Sequence, residues 1–248
     1  MKYKEYGIDK DQVIILLHGG GLSWWNYREV AEKLQNYYHV ILPILDGHAG
    51  SDSDFTTIES NATEIVNFID ENLGGSVLLI GGLSLGGQIL LEILSQRKNI
   101  CQYALVESAL IIPSKLMHFL IKPAFGSCYG LIQHEWFSKL QFKSLRMKQE
   151  LFDDYFRDTC AITKPNLIAF LQANAMYAIK NSIASSSSEI YVFAGEMENR
   201  KIISSAHTIQ KKLSVCFMKI LPKMYHGEFS MNHAAEYANT VMKITSNN

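Results

Sequence analysis

The stretch Val77-Leu78-Leu79-Ile80-Gly81-Gly82-Leu83-Ser84-Leu85-Gly86-Gly87 decides how the rest of the chain is read. Val77 to Ile80 is continuously apolar, as in a strand buried on both faces of a parallel sheet. Beyond the glycines, Gln88 to Gln96 carries Ile89, Leu90, Ile93 and Leu94 at helical spacing. Between them, Gly82-Leu83-Ser84-Leu85-Gly86 is a G-x-S-x-G sequence at a strand-to-helix turn, the setting a nucleophile elbow requires. The tight turn leaves no room for side chains flanking Ser84, hence the glycines, and it lifts the serine hydroxyl to the end of the sheet. The N-terminus of the helix that follows favours negative charge developing there.

The same grammar runs outward in both directions. Val13 to Leu17, His39 to Leu42, Tyr103 to Val106, Ile190 to Ala194 and Val215 to Ile220 read as strands, the second stopped by Pro43. Tyr27 to Gln35 and Ile58 to Asn72 read as amphipathic helices. Alternating strand and helix predicts the α/β class, a mostly parallel sheet flanked by helices. The rhythm breaks from about Ile112 to Ile183, where only helical spacings occur, such as Leu151-Phe152-Tyr155-Phe156 and Leu167-Ile168-Phe170-Leu171. Pro165 suits the start of the latter helix. The region is read as a helical cap, residues 112–183, inserted into a core of residues 1–111 and 184–248; a few extra packing helices are the alternative. Its large apolar residues include Phe119, Phe125, Trp136, Phe137, Phe142, Phe152, Phe156, Phe170 and Met176. Most are expected to pack the segment on the core, and any that face the site would imply an apolar portion in the substrate. Ser185 to Ser188 reads as a polar surface loop.

Bulk composition narrows the function classes. The 248 residues are 48% hydrophobic and 19% charged, with a formal net charge of -1. This balance points to neither nucleic acid nor an acidic membrane surface as a partner. Cys101, Cys128, Cys160 and Cys216 are scattered with no C-x-x-C, which speaks against a zinc or redox motif and for reduced cysteines filling small apolar volumes. Met1 to Lys10 is polar, with no apolar core of a secretory signal, and no apolar run approaches the ~20 residues of a membrane span. A cytoplasmic protein is expected.

A second glycine cluster, His18-Gly19-Gly20-Gly21, follows the strand Val13 to Leu17. Glycines there let backbone N–H groups approach a substrate oxygen, as an oxyanion hole demands. The Gly20 N–H is the expected donor, Gly21 the alternative, and the Leu85 N–H the second donor. A phosphate loop fits poorly, because neither G-x-x-x-x-G-K-[ST] nor G-x-G-x-x-G occurs.

His18 to Gly21, Asp46-Gly47-His48-Ala49-Gly50-Ser51 and Gly82 to Gly86 occur in the order seen in the α/β-hydrolase superfamily, which the chain resembles over most of its core. The middle segment is similar to the D-x-x-G-x-G-x-S loop of that family, shortened by one residue, and has a turn role in which His48 shares. The resemblance implies a serine, an acid and a histidine in that chain order. Of eight histidines, His226 in Tyr225-His226-Gly227 resembles the family's late His-Gly loop, with His233 as runner-up. Gly195-Glu196-Met197-Glu198 resembles the family's G-x-x-D loop and puts the acid at Glu198, with Glu196 and Glu107 as alternatives. Trp24 and Trp25 are expected to pack the first helix rather than line an acyl pocket. The resemblance implies an esterase- or lipase-like serine hydrolase for a small-molecule ester with an apolar acyl group, using no metal or organic cofactor. Thioesterase, amidase and carbon–carbon bond hydrolase are alternatives on the same triad, as is a non-catalytic ligand-binding protein of the same fold.

Overall fold

The computed structural model describes residues 1–246. Its elements are β1 (Lys2–Tyr6), β2 (Val13–Leu17), α1 (Arg28–Leu34), β3 (His39–Ile44), α2 (Ile58–Asn72), β4 (Val77–Leu83), α3 (Leu85–Gln96), β5 (Cys101–Glu107), α4 (Lys115–Cys128), α5 (Glu135–Ser144), α6 (Phe152–Ala161), α7 (Lys164–Met176), β6 (Glu189–Gly195), α8 (Arg200–Lys212), β7 (Cys216–Leu221), α9 (Glu228–Asn232) and α10 (Ala234–Thr245). The strands form one sheet in the order β1-β3-β2-β4-β5-β6-β7. Every neighbouring pair is parallel except β1–β3. The expected α/β class and mostly parallel sheet are therefore present.

One strand was not foreseen and one was read too short. The polar N-terminus forms β1, with Lys2 opposite Ile44 and Tyr6 opposite Val40. An edge strand exposed on both faces needs no apolar run, and Lys2, Lys4 and Glu5 mark a charged sheet edge. Pro43 does not stop β3, which continues to Ile44. The parallel ladder between β2 and β3 ends at Ile41, so the missing N–H of Pro43 breaks no bond to β2.

Alternation along the strands builds two cores. Ile15, Leu17, Ile80, Ala104, Val106 and Val192 face α2, α3 and α8. Ile14, Leu16, Leu79, Tyr103, Leu105 and Phe193 face α1, α9 and α10. The helices from α4 to α7 lie between β5 and β6 and contribute to both cores, through Ile162 and Phe170 on one side and Phe142, Phe152 and Tyr155 on the other. Of the nine large apolar residues of this segment, Phe137, Phe142, Phe152, Phe156 and Phe170 are buried or half-buried, while Phe119, Phe125, Trp136 and Met176 are exposed. Cys101 is buried as expected, but Cys128 is exposed. Thr57, Thr163 and Asn199 cap α2, α7 and α8 with side-chain oxygens that accept backbone N–H bonds. Among the described residues no helix is long and apolar enough to cross a membrane.

Candidate active site

β4 delivers Leu83, and α3 begins at Leu85, so Ser84 is the single residue of the turn. Its φ of 53° lies in a region that side chains avoid. Two bonds over-determine that conformation: the Ser84 N–H donates to Glu107 O at 2.8 Å, and the Gln88 N–H donates to Ser84 O at 3.0 Å. The flanking glycines are sterically obligatory. A Cβ on Gly86 would lie 2.1 Å from Leu17 O, and one on Gly82 would lie 2.3 Å from Gly86 O. The elbow therefore packs hard against the end of β2.

That close approach sets the His18-to-Gly21 loop beside the serine. The Gly19 N–H is engaged by Asn26 Oδ1 at 3.2 Å. The N–H groups of Gly20 and Leu85 have no protein acceptor among the described residues. Leu85 is the first residue of α3, where helical N–H groups lack an intrahelical partner. Gly20 abuts Leu85, since a Cβ on Gly20 would stand 3.5 Å from Leu85 Cβ, whereas a Cβ on Gly21 would meet nothing within 4 Å. His18 has a fastening role. Its Nδ1–H donates to Gly19 O at 2.9 Å, and its Nε2 accepts from the Leu45 N–H at 3.1 Å. Burial, then the adjacent His48, lowers its pKa to about 3, so the ring is neutral.

His226 lies between β7 and α9, half-exposed, and Gly227 packs against the Leu83 side chain. The ring Nδ1–H donates to Glu198 Oε2 at 2.7 Å. Because a carboxylate only accepts, this bond fixes the proton on Nδ1 and leaves Nε2 as the basic nitrogen. The Glu198 side chain is fully buried. Its other oxygen accepts from the Gly195 N–H and the Ser108 hydroxyl, each at 2.7 Å. Burial raises the Glu198 pKa, but the bonds from His226, Gly195 and Ser108 outweigh it and hold the carboxyl below its usual range. Ser84 makes no hydrogen bond to His226 among the described residues; such contacts commonly tighten only when substrate is present.

The structure separates the remaining candidates. Glu196 is exposed and accepts from the Lys223 N–H at 2.9 Å. Glu107 is buried and accepts from the Ser230 N–H at 3.2 Å, not from His226. His233 is exposed at the N-cap of α10. His48 sits in its turn, with Nδ1–H donating to Asp46 O at 3.0 Å, and stacks on Phe170 with centroids 4.6 Å apart. Trp25 is buried and its Nε1–H donates to Asp158 Oδ2 at 2.8 Å, while Trp24 carries the Arg28 guanidinium 4.8 Å above its ring.

Sequence reading missed the supporting roles of Ser108 and Gln88. Ser108, at a φ of 57° just past β5, holds the Glu198 carboxylate. The visible signal was a polar residue immediately following a buried strand. Phe170 of α7 lies over the Gly20 loop, where a Cβ on Gly20 would stand 3.5 Å from its ring. A polar clamp fixes α7 on the elbow helix: buried Gln88 donates to Leu110 O at 2.6 Å and Asn174 O at 3.0 Å. A cleft of about 350 Å³ opens between α4, α7 and the start of α8, with walls that include Leu110, Ile121, Phe125, Leu171 and Ile202; none of Ser84, His226, Glu198 or Gly20 lines it.

This fold with its strained serine turn matches the model of the alpha/beta hydrolase family across residues 14–240, and the chain belongs to that family. Several solved structures share the fold at low sequence identity. A thermophilic esterase from Thermogutta terrifontis is 14% identical with a TM-score of 0.78, covering 98% of this chain and 92% of its own. MenH from S. aureus is 17% identical with a TM-score of 0.79, covering 99% and 98%. A serine hydrolase involved in carbazole degradation is 20% identical with a TM-score of 0.78, covering 98% and 93%.

Proposed function

We propose that the chain is a serine hydrolase that cleaves carboxylic esters of small or medium apolar acyl substrates. The observation that carries this reading is the 2.7 Å bond from His226 Nδ1 to buried Glu198, formed on loops at the strand ends beside the positive-φ turn of Ser84. His226 Nε2 takes the Ser84 proton and Ser84 Oγ attacks the ester carbonyl. The unclaimed N–H groups of Gly20 and Leu85 hold the developing oxyanion. Glu198 keeps the imidazole in its tautomer and stabilises the imidazolium. His226 returns the proton to the leaving alcohol, then activates water to release the acid and free Ser84. Residues 112–183 serve as the cap, and Phe170 over the Gly20 loop favours an apolar acyl group. The esterases among the structurally similar proteins support this reading.

Hydrolysis of p-nitrophenyl acetate and butyrate, with covalent labelling by a fluorophosphonate probe, tests it. The wild type is expected to hydrolyse and label, and Ser84→Ala to do neither. Labelling that persists in Ser84→Ala, or a wild type inert in both assays, would overturn it.

A further inference from the structure

Helix α4 is built inside out. Ile121 is its only buried residue, while Phe119 is 73% and Leu116 70% exposed. At about 100° per residue, Phe119, Pro123, Leu116, Leu120, Ala124 and Met117 share an arc of about 160°. His118 stands opposite that arc and ties the helix to α7. Its Nδ1 bonds Gln172 O at 3.3 Å, and Gln172 Nε2 donates to His118 O at 3.2 Å. The apolar arc therefore points away from the core, the reverse of an ordinary amphipathic helix. On α5 the exposed residues Trp136, Lys139, Leu140 and Lys143 likewise share one face. The two helices adjoin across an open apolar groove of about 220 Å³ that touches Phe125, Cys128, Phe137 and Gln141.

Charge accompanies this apolar surface. Residues 112–148 contain six of the chain's 23 Lys and Arg residues but only one of its 24 Asp and Glu residues, Glu135. The net charge of -1 conceals this asymmetry. Lys115 and Lys122 flank the apolar arc at its Phe119 edge. Exposed Phe, Trp and Leu bordered by lysines whose stems can lie along apolar surface is the composition of an interfacial helix. We propose that α4 and α5 dock the protein on an anionic lipid bilayer, with the apolar arc in the headgroup region and the lysines on lipid phosphates. A second copy fits less well, because isologous pairing would juxtapose two faces that each carry Lys115, Lys122 and Lys143, none of them ion-paired among the described residues.

Co-sedimentation with lipid vesicles tests the proposal without reference to catalysis. The wild type is expected to bind vesicles of phosphatidylcholine containing about a third phosphatidylglycerol, roughly tenfold better than phosphatidylcholine alone, and to release as salt rises. L116S/F119S/L120S and the charge reversal K115E/K122E are each expected to lose roughly tenfold in binding with melting temperatures unchanged, since these side chains are exposed. Ser84→Ala is expected to bind as the wild type does. Failure of the wild type to bind anionic vesicles overturns the proposal, as does undiminished binding by L116S/F119S/L120S. Light scattering that shows a dimer abolished by L116S/F119S/L120S, without vesicle binding, overturns it in favour of a second copy.

Discussion

Ser84 and Glu198 are held in conformations that their neighbours impose. A Cβ at position 86 has nowhere to go, since Leu17 O would be 2.1 Å away and belongs to a central strand. Gly86→Ala is expected to destabilise the protein by more than about 3 kcal/mol and to abolish activity, read by urea denaturation and ester hydrolysis. At Glu198 the amide variant keeps the shape but favours the wrong imidazole tautomer. Glu198→Gln is expected to lower kcat by about 10²–10⁴ with little change in KM, whereas Glu196→Gln stays within about twofold. Equal losses in both variants would remove Glu198 from the proposed triad. The pairing of Glu198 with His226 was legible from the G-x-x-E and His-Gly loops. The grip of Ser108 on that carboxylate was not, because it depends on a positive-φ corner that no local spacing encodes.

Legibility among the elements followed burial. Strands β2 and β4 to β6, covered on both faces, announced themselves as apolar runs. Strand β1 did not, because its hydrogen-bonding edge alone is used and its side chains face solvent. The extent of β3 was hidden by Pro43, whose tolerance depends on which neighbour ends where. Helix α4 looked like core from composition, and only its orientation shows otherwise. The α2 cap provides a local check on element energetics. Thr57 Oγ1 accepts from the Ser60 N–H at 2.9 Å, far from the serine turn in sequence. Thr57→Ala is expected to cost about 1 kcal/mol by thermal or urea melting, with ester hydrolysis unchanged.

Over the whole molecule, four buried groups titrate in opposing senses. Burial lowers His18 to about 3 and His48 to about 4. Burial, then repulsion by Glu64, raises Asp46 to about 6, and burial raises Glu107 to about 7. The unfolded histidines protonate near pH 6.5, so as pH falls below about 6.5 the unfolded state gains protons first and stability is lost. For the two carboxyls the native state keeps protons that the unfolded state releases, so stability is lost as pH rises from about 4.5 towards 7. These slopes oppose one another between about pH 4.5 and 6. Below that window the histidine losses are no longer opposed by Glu107 and are joined by that of Glu198, whose lowered pKa makes its contribution vanish in acid. A flat urea midpoint from about pH 5 to 6 and a steep fall below about 4.5 are expected. Glu107→Gln removes one opposing slope. The variant should gain about 1–3 kcal/mol relative to the wild type between pH 4.5 and 8, measured by urea denaturation at both ends. A constant difference between the two proteins would refute this account of Glu107.

The placement of the helical segment between β5 and β6 also governs how the chain emerges from a ribosome. Strands β1 to β5 can align from the first 107 residues, yet the partner for the open edge of β5 is made about 80 residues later. At ~5–20 residues per second that edge waits ~4–16 s with Leu105 and Val106 uncovered. Nascent chains paused within the segment should therefore be the species that holdase chaperones capture, and slowing synthesis there should lower the soluble yield.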